Sequence, residues 1–178
     1  TADAQAQWGV NTRLIDNDFA GWYVDMAVDA VNGIHLAYYG AAGGDLKYAY
    51  LENYTAAPQV VTVDSYLSVG VNVSIDVLPK TIGATTYQVP HISYFMSAFN
   101  KTSFAVKTAW LSTLGQAVVP QGAVNDMYTG DWEIMTLPLA SIPLDYTIGI
   151  GIKKNELGAD SPLLGYGTKT GLEVGRLE

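Results

Sequence analysis

The sequence predicts an all-β chain assembled from small, repeated antiparallel sheets, and three observations carry that reading. Apolar and polar residues alternate with a period of two, as where Val24, Met26 and Val28 interleave with Tyr23, Asp25 and Ala27, and Val71, Val73 and Ile75 with Asn72 and Ser74. No stretch of about ten residues shows the apolar stripe of an amphipathic helix. Short runs also echo one another: His35-Leu36-Ala37-Tyr38-Tyr39 returns as His91-Ile92-Ser93-Tyr94-Phe95, and more loosely as Leu163-Leu164-Gly165-Tyr166-Gly167.

Composition sets the outer limits. The 178 residues are 49% apolar and 15% charged, one ordinary domain's length with enough apolar material for a core and too little charge for a disordered chain. A net charge of −8 without a basic cluster argues against nucleic acid and anionic membranes as partners. With no cysteine, disulfides, thiolate metal sites and cysteine nucleophiles are excluded. No run of apolar residues is long enough for a membrane-spanning helix. The first seven residues have neither a basic n-region nor an apolar h-region, and read as the remainder of processing or as a linker.

Taken in order, the elements begin with a strand over 8–16, followed by an opening strand over 22–29. Asn32-Gly33 is a hairpin signal, since both residues tolerate positive φ, and it leads into the strand over 35–39. Gly43-Gly44-Asp45 makes the next turn, then come strands over 46–51 and 59–64. A second unit repeats this order with strands over 71–77, 91–95, 106–111 and 132–137. A third has strands over 146–152, 163–167 and 172–177. Units of four short antiparallel strands read as propeller blades: 21–68 the first, 69–140 the second, and 141–178 a third that lacks its outer strand.

The runs "GIHLAYYGAAGGDLKYAYLE" and "VPHISYF…AVKTAWLS" resemble the blade repeat of secreted bacterial β-propeller proteins, in which a "PHISYYD"-like strand precedes a "GDLKYA"-like strand. The third unit departs from it, with Leu163 at the His position and Glu173 at the Lys position. The resemblance implies a propeller fold and an extracytoplasmic setting, and brings no catalytic residues with it. The triplets Asn53-Tyr54-Thr55, Asn72-Val73-Ser74 and Asn100-Lys101-Thr102 suit the same setting.

Trp8 precedes Trp22 by the same interval as Trp132 precedes Tyr146, so residues 1–20 read as an outer strand placed first in the chain. Three blades are fewer than a propeller ring needs. The expectation is therefore a homodimer, a six-bladed ring in which each N-terminal strand completes the other chain's third blade and leaves no open edge. Trp8, Val10, Leu14, Leu172 and Val174 are the candidate assembly residues. The alternatives are an open strand-donating polymer, a piece of a longer propeller, and a compact sandwich.

Candidate chemistry is sparse. His35 and His91, the only histidines, hold equivalent positions; a metal or acid–base pair is one reading and a structural role in separate sheets the other. With Tyr39 and Tyr94 they are the candidate ligand contacts, since tyrosine presents a stacking face to sugars and proteins. Asp16, Asn17 and Asp18, followed by Gly21, offer clustered oxygens for Ca²⁺ without EF-hand spacing, and equally suit a plain turn. No other cofactor is indicated. Asp25, Asp29, Asp64, Asp76 and Asp145 are the acids from which a glycosidase pair would be drawn. The nucleophile-elbow, P-loop and zincin motifs are absent. The expected function is a non-catalytic extracytoplasmic scaffold or recognition module that self-assembles and binds protein or glycan, against a polysaccharide hydrolase or lyase, or a filament subunit.

Overall fold

In a computed structural model of the chain, the residues described are 12–97, 104–111, 132–138, 150–153, 163–168 and 171–176. Among them there are strands and no helix, so none that could cross a membrane, and the all-β expectation holds. The first sheet is β1 (Ala20–Val28), β2 (Ile34–Gly40), β3 (Asp45–Leu51) and β4 (Gln59–Asp64), in that spatial order. The second repeats the order with β5 (Ser68–Ile82), β6 (Thr85–Ser97), β7 (Phe104–Leu111) and β8 (Trp132–Pro138). The third has β9 (Ile150–Lys153), β10 (Leu163–Thr168) and β11 (Gly171–Arg176), with β10 central. Every pairing is antiparallel.

Local chemistry explains the turns. At the β1–β2 corner Asp29 accepts the amides of Val31 at 2.8 Å and Gly33 at 2.7 Å, closing an Asx turn. Only Asn32 of the Asn-Gly pair takes positive φ, at 71°. Gly33 is needed for space instead, since a Cβ there would meet Asp29 Oδ2 at 2.5 Å. β5 and β6 extend beyond the expected bounds around Gly83, whose φ is +63°. The strand-breaking rule for proline hides this length. Pro90 is tolerated because it pairs only with Val77 on β5, one residue before pairing with β7 begins at His91.

The repeat is deeper in the backbone than in the side chains. Gly21 and Tyr23 have φ of 93° and 53°, and Gly70 and Asn72 have 94° and 50° at the matching places; Phe19 at 45° and Leu67 at 68° precede them, one residue apart in register. Both opening strands shift register twice there. Positive φ is unfavourable for residues other than glycine, so the recurrence marks a built double bulge.

Cross-strand pairing fixes two faces for each sheet. On the first sheet Asp25, Ala37 and Tyr48 lie in one row, with Ala27, His35 and Tyr50 beside it. The opposite face carries Val24, Tyr38 and Lys47, then Met26, Leu36 and Ala49. The first of these faces packs on the second sheet: Ala37, Leu46, Tyr48 and Tyr50 share one core with Val73, Ile75, Ile92, Tyr94, Ala109 and Leu111. Ile75 is fully enclosed there, so Ile75→Ala is expected to lower the unfolding free energy by about 3 kcal/mol. Val60→Ala on exposed β4 is expected to change it by less than ~0.5 kcal/mol. Urea denaturation of the two variants checks the contrast.

Candidate functional site

His35 is fully buried. Its Nε2 lies 3.1 Å from Asp29 Oδ2 and its Nδ1 2.6 Å from the Tyr48 hydroxyl, with the Tyr50 ring 5.1 Å away. Burial pushes the Asp29 carboxyl up, but His35 and the amides of Val31 and Gly33 outweigh it and hold the group below the usual carboxylate range. The network ties the β1–β2 turn to β3. His91 has the equivalent register but different partners, with Nδ1 3.0 Å from the Val89 carbonyl and the ring stacked on Trp110 at 6.5 Å. Both histidines thus face an aromatic directly across the strand pair, Tyr50 or Trp110.

Two further clusters have one design. Asp16 Oδ2 accepts the Tyr38 hydroxyl at 2.9 Å and the Lys47 ammonium at 3.0 Å. Asp64 Oδ2 accepts the Tyr94 hydroxyl at 2.7 Å and the Lys107 ammonium. Tyr38 and Lys47 are directly paired across β2 and β3, as Tyr94 and Lys107 are across β6 and β7. In each case an acid reached from outside the sheet is clamped by a phenol and an ammonium on neighbouring strands. Burial and the neighbouring carboxylates push both phenols well above the ordinary tyrosine range. Burial raises the Asp16 carboxyl, but the Asp18 amide, Lys47 and Tyr38 prevail and lower it. For Lys47 burial works against the charge, and Asp16 and Asp18 overcome it and raise the ammonium.

Of the Ca²⁺ candidates Asp16, Asn17 and Asp18, the two acids both accept from Lys47, Asp18 at 3.2 Å, and Asp16 Oδ1 also takes the Asp18 amide at 3.0 Å. Among the described residues no group of three or more His, Cys, Asp or Glu side chains is placed to hold a metal ion. Of the candidate ligand contacts, Tyr94 and His35 are enclosed in the core and Tyr39 is half-buried. The Tyr39 hydroxyl meets Ser68 Oγ at 3.3 Å and its ring meets Tyr23 edge-on at 6.3 Å. Asp25 reaches the second sheet, accepting Ser74 Oγ at 3.1 Å and the Ile75 amide at 2.9 Å. Leu14 is exposed. Leu172 and Val174 lie on β11, in the register that Leu46 and Tyr48 hold on β3. Trp8, Val10, Asn100 and Asp145 lie outside the described residues.

The surface left over is the outer face of β1. Val24, Met26 and Val28 are 56%, 58% and 57% exposed, whereas their counterparts Val73, Ile75 and Val77 on β5 are 9%, 1% and 7% exposed. Trp22 and Phe19 are also exposed. Beside this face lies a groove lined by Ile15, Ala20, Gly21, Val24, Leu36 and Tyr38. Single exposed apolar residues are ordinary on a protein surface, but a contiguous row is the mark of a contact surface. Sequence alternation located this apolar row without showing that it faces outward. The acid clamps left only a faint trace in the sequence, the matched Tyr and Lys of the two units.

Removing one clamp partner separates the two copies of the design. Asp64→Ala strands the Lys107 ammonium in the core and is expected to cost about 3–5 kcal/mol of stability. Asp16→Ala leaves Lys47 with Asp18 and more water, and is expected to cost ~1 kcal/mol; denaturant titration measures both. Burial, with some help from Lys80 and against the pull of Val89 and Asp76, lowers His91 from 6.5 to about 4. The unfolded chain therefore binds the proton first as pH falls, and stability is lost from pH 6.5 downward until about pH 4. Between pH 7 and 5 this loss is about 2 kcal/mol. His91→Phe, which keeps a ring on Trp110, is expected to remove that part of the slope, as read by denaturation at the two pH values.

No protein-family model, curated protein or solved structure matches the chain.

Proposed function

We propose that the chain is a β-propeller-type scaffold or recognition module that works outside the cytoplasm, binds protein or glycan through its loop faces, and closes a six-bladed ring with a second copy. The observation that carries this reading is the stacking of sheets through their opening strands: β1 contacts β5, and β5 in turn contacts β9. Successive small antiparallel sheets that present their first strand to the previous sheet are the building plan of a propeller. The double bulge and the acid clamp, each repeated at matching places, support treating the sheets as repeats of one unit.

Binding is favoured over hydrolysis by what the candidate acids are already doing. Asp25 holds β5, Asp29 holds His35 and its own turn, Asp64 holds Tyr94 and Lys107, and Asp76 takes the Val77 amide at 2.9 Å. A glycosidase needs two carboxyl groups free to face one bond. The low charge, the many Gly and Tyr residues and the three Asn-x-Ser/Thr triplets favour the extracytoplasmic setting. The purified chain is expected to bind selected glycans or surface proteins on an array and to release no reducing sugar from them. Release of reducing sugar by the chain, lost on substitution of one acid, would replace this reading with the hydrolase.

A further inference from the structure

We infer that the outer face of β1 is a docking surface for the third sheet of a second copy of this chain. The inference rests on the repeat reading above and adds to it the surface, its occupant and the register.

The chain displays the docked and undocked forms of the same face side by side. The second sheet's Val73, Ile75 and Val77 are buried, and Val73 and Ile75 share one core with Leu46 and Tyr48 of the preceding sheet. The first sheet's Val24, Met26 and Val28 occupy the same register and have no such cover among the described residues. The two glycines of the bulges make the same point. A Cβ on Gly70 would lie 3.0 Å from Leu46 Cα and 3.2 Å from the Asp45 carbonyl, so the preceding sheet comes to backbone contact there. Gly21 has the same φ, yet nothing lies within 4 Å of where its Cβ would be. Close approach is a reason to keep glycine, and at Gly21 the approaching group has to come from elsewhere.

The third sheet has the register to supply it. Gly165 pairs with Val174 and Gly167 with Leu172, as Ala37 pairs with Tyr48 and Tyr39 with Leu46. Leu172 and Val174 thus stand at the positions of Leu46 and Tyr48, the residues that share a core with β5. Two chains related by a twofold axis make this contact twice and close.

Light scattering coupled to size exclusion tests the surface on the whole chain. The chain is expected to elute at about twice its 19.1 kDa, and Met26→Asp, at an exposed site, to return it to the monomer mass with an unchanged β-sheet circular dichroism spectrum. Tyr54→Ser, exposed on the turn after β3, is expected to leave the dimer intact. Because the chain has no cysteine, a pair can locate the contact: Gly21→Cys with Leu172→Cys is expected to give a disulfide between chains. Gly70→Cys with Leu46→Cys is the control within one chain, where the Cβ atoms would be 3.4 Å apart. A dimer that survives Met26→Asp would overturn this docking and leave self-association through another surface standing. A folded monomer that still binds glycan would overturn the docking of a second copy and leave the recognition reading standing. A test pair that closes within one chain, or stays open while the control closes, would overturn the register.

Discussion

A sheet that is buried on both faces has to be covered twice, and the rest of this structure follows from that constraint. An antiparallel sheet with one wet face needs only one layer against it. At its centre the second sheet has no wet face: Ile75 and Ile92 point toward the first sheet and are fully enclosed, while Ser93 on β6 and Thr108 on β7, on its other face, are also buried. Layers therefore have to follow one another, and the contacts of β1 with β5 and of β5 with β9 are that succession. Burial of each large aliphatic side chain contributes about 1.5–3 kcal/mol, which is why the succession is stable.

Stacked apolar layers slide unless something directional fixes them, and here carboxylates do it. Asp25 binds the Ile75 amide across the layer boundary, Asp64 at the end of β4 is clamped by Tyr94 and Lys107, and the Val69 amide donates to the Gly44 carbonyl at 2.8 Å. A buried ammonium contributes little net stability, because its desolvation offsets the attraction. Its value lies in the cost of separation: once Lys107 is enclosed, any arrangement that moves Asp64 away leaves an unpaired charge in the core. The clamp thus selects one register among many that would bury similar apolar area.

The fold was legible where it depended on periodicity and repetition. The alternation through 22–28 and 71–77, and the return of His35-Leu36-Ala37-Tyr38-Tyr39 as His91-Ile92-Ser93-Tyr94-Phe95, located the first two strands of both sheets, though not the full length of β5 and β6. What sequence could not supply was orientation. Alternation separates Val24 and Met26 from Asp25, yet the same pattern serves a face turned to the core and one turned to a partner. The bulges were hidden for a different reason: Phe19, Tyr23 and Leu67 are not residues that announce positive φ, and the surrounding sheet imposes it. The clamps were hidden because their acids lie far along the chain from the Tyr–Lys pairs they join.

The comparison of the two clamps also says how the chain enters its first sheet. Asp64 is the last residue of β4, so residues 60–64 arrive at the second sheet as the end of an outer strand belonging to the layer before. Asp16 meets Tyr38 and Lys47 as Asp64 meets Tyr94 and Lys107, and a double bulge follows each acid within a few residues. Asp16 itself therefore stands to Tyr38 and Lys47 as Asp64 stands to Tyr94 and Lys107, although residues 12–19 form no strand. In the third sheet Glu173 pairs with Tyr166 where Lys47 pairs with Tyr38 and Lys107 with Tyr94, so the register position that carries a lysine in the first two sheets carries an acid in the third.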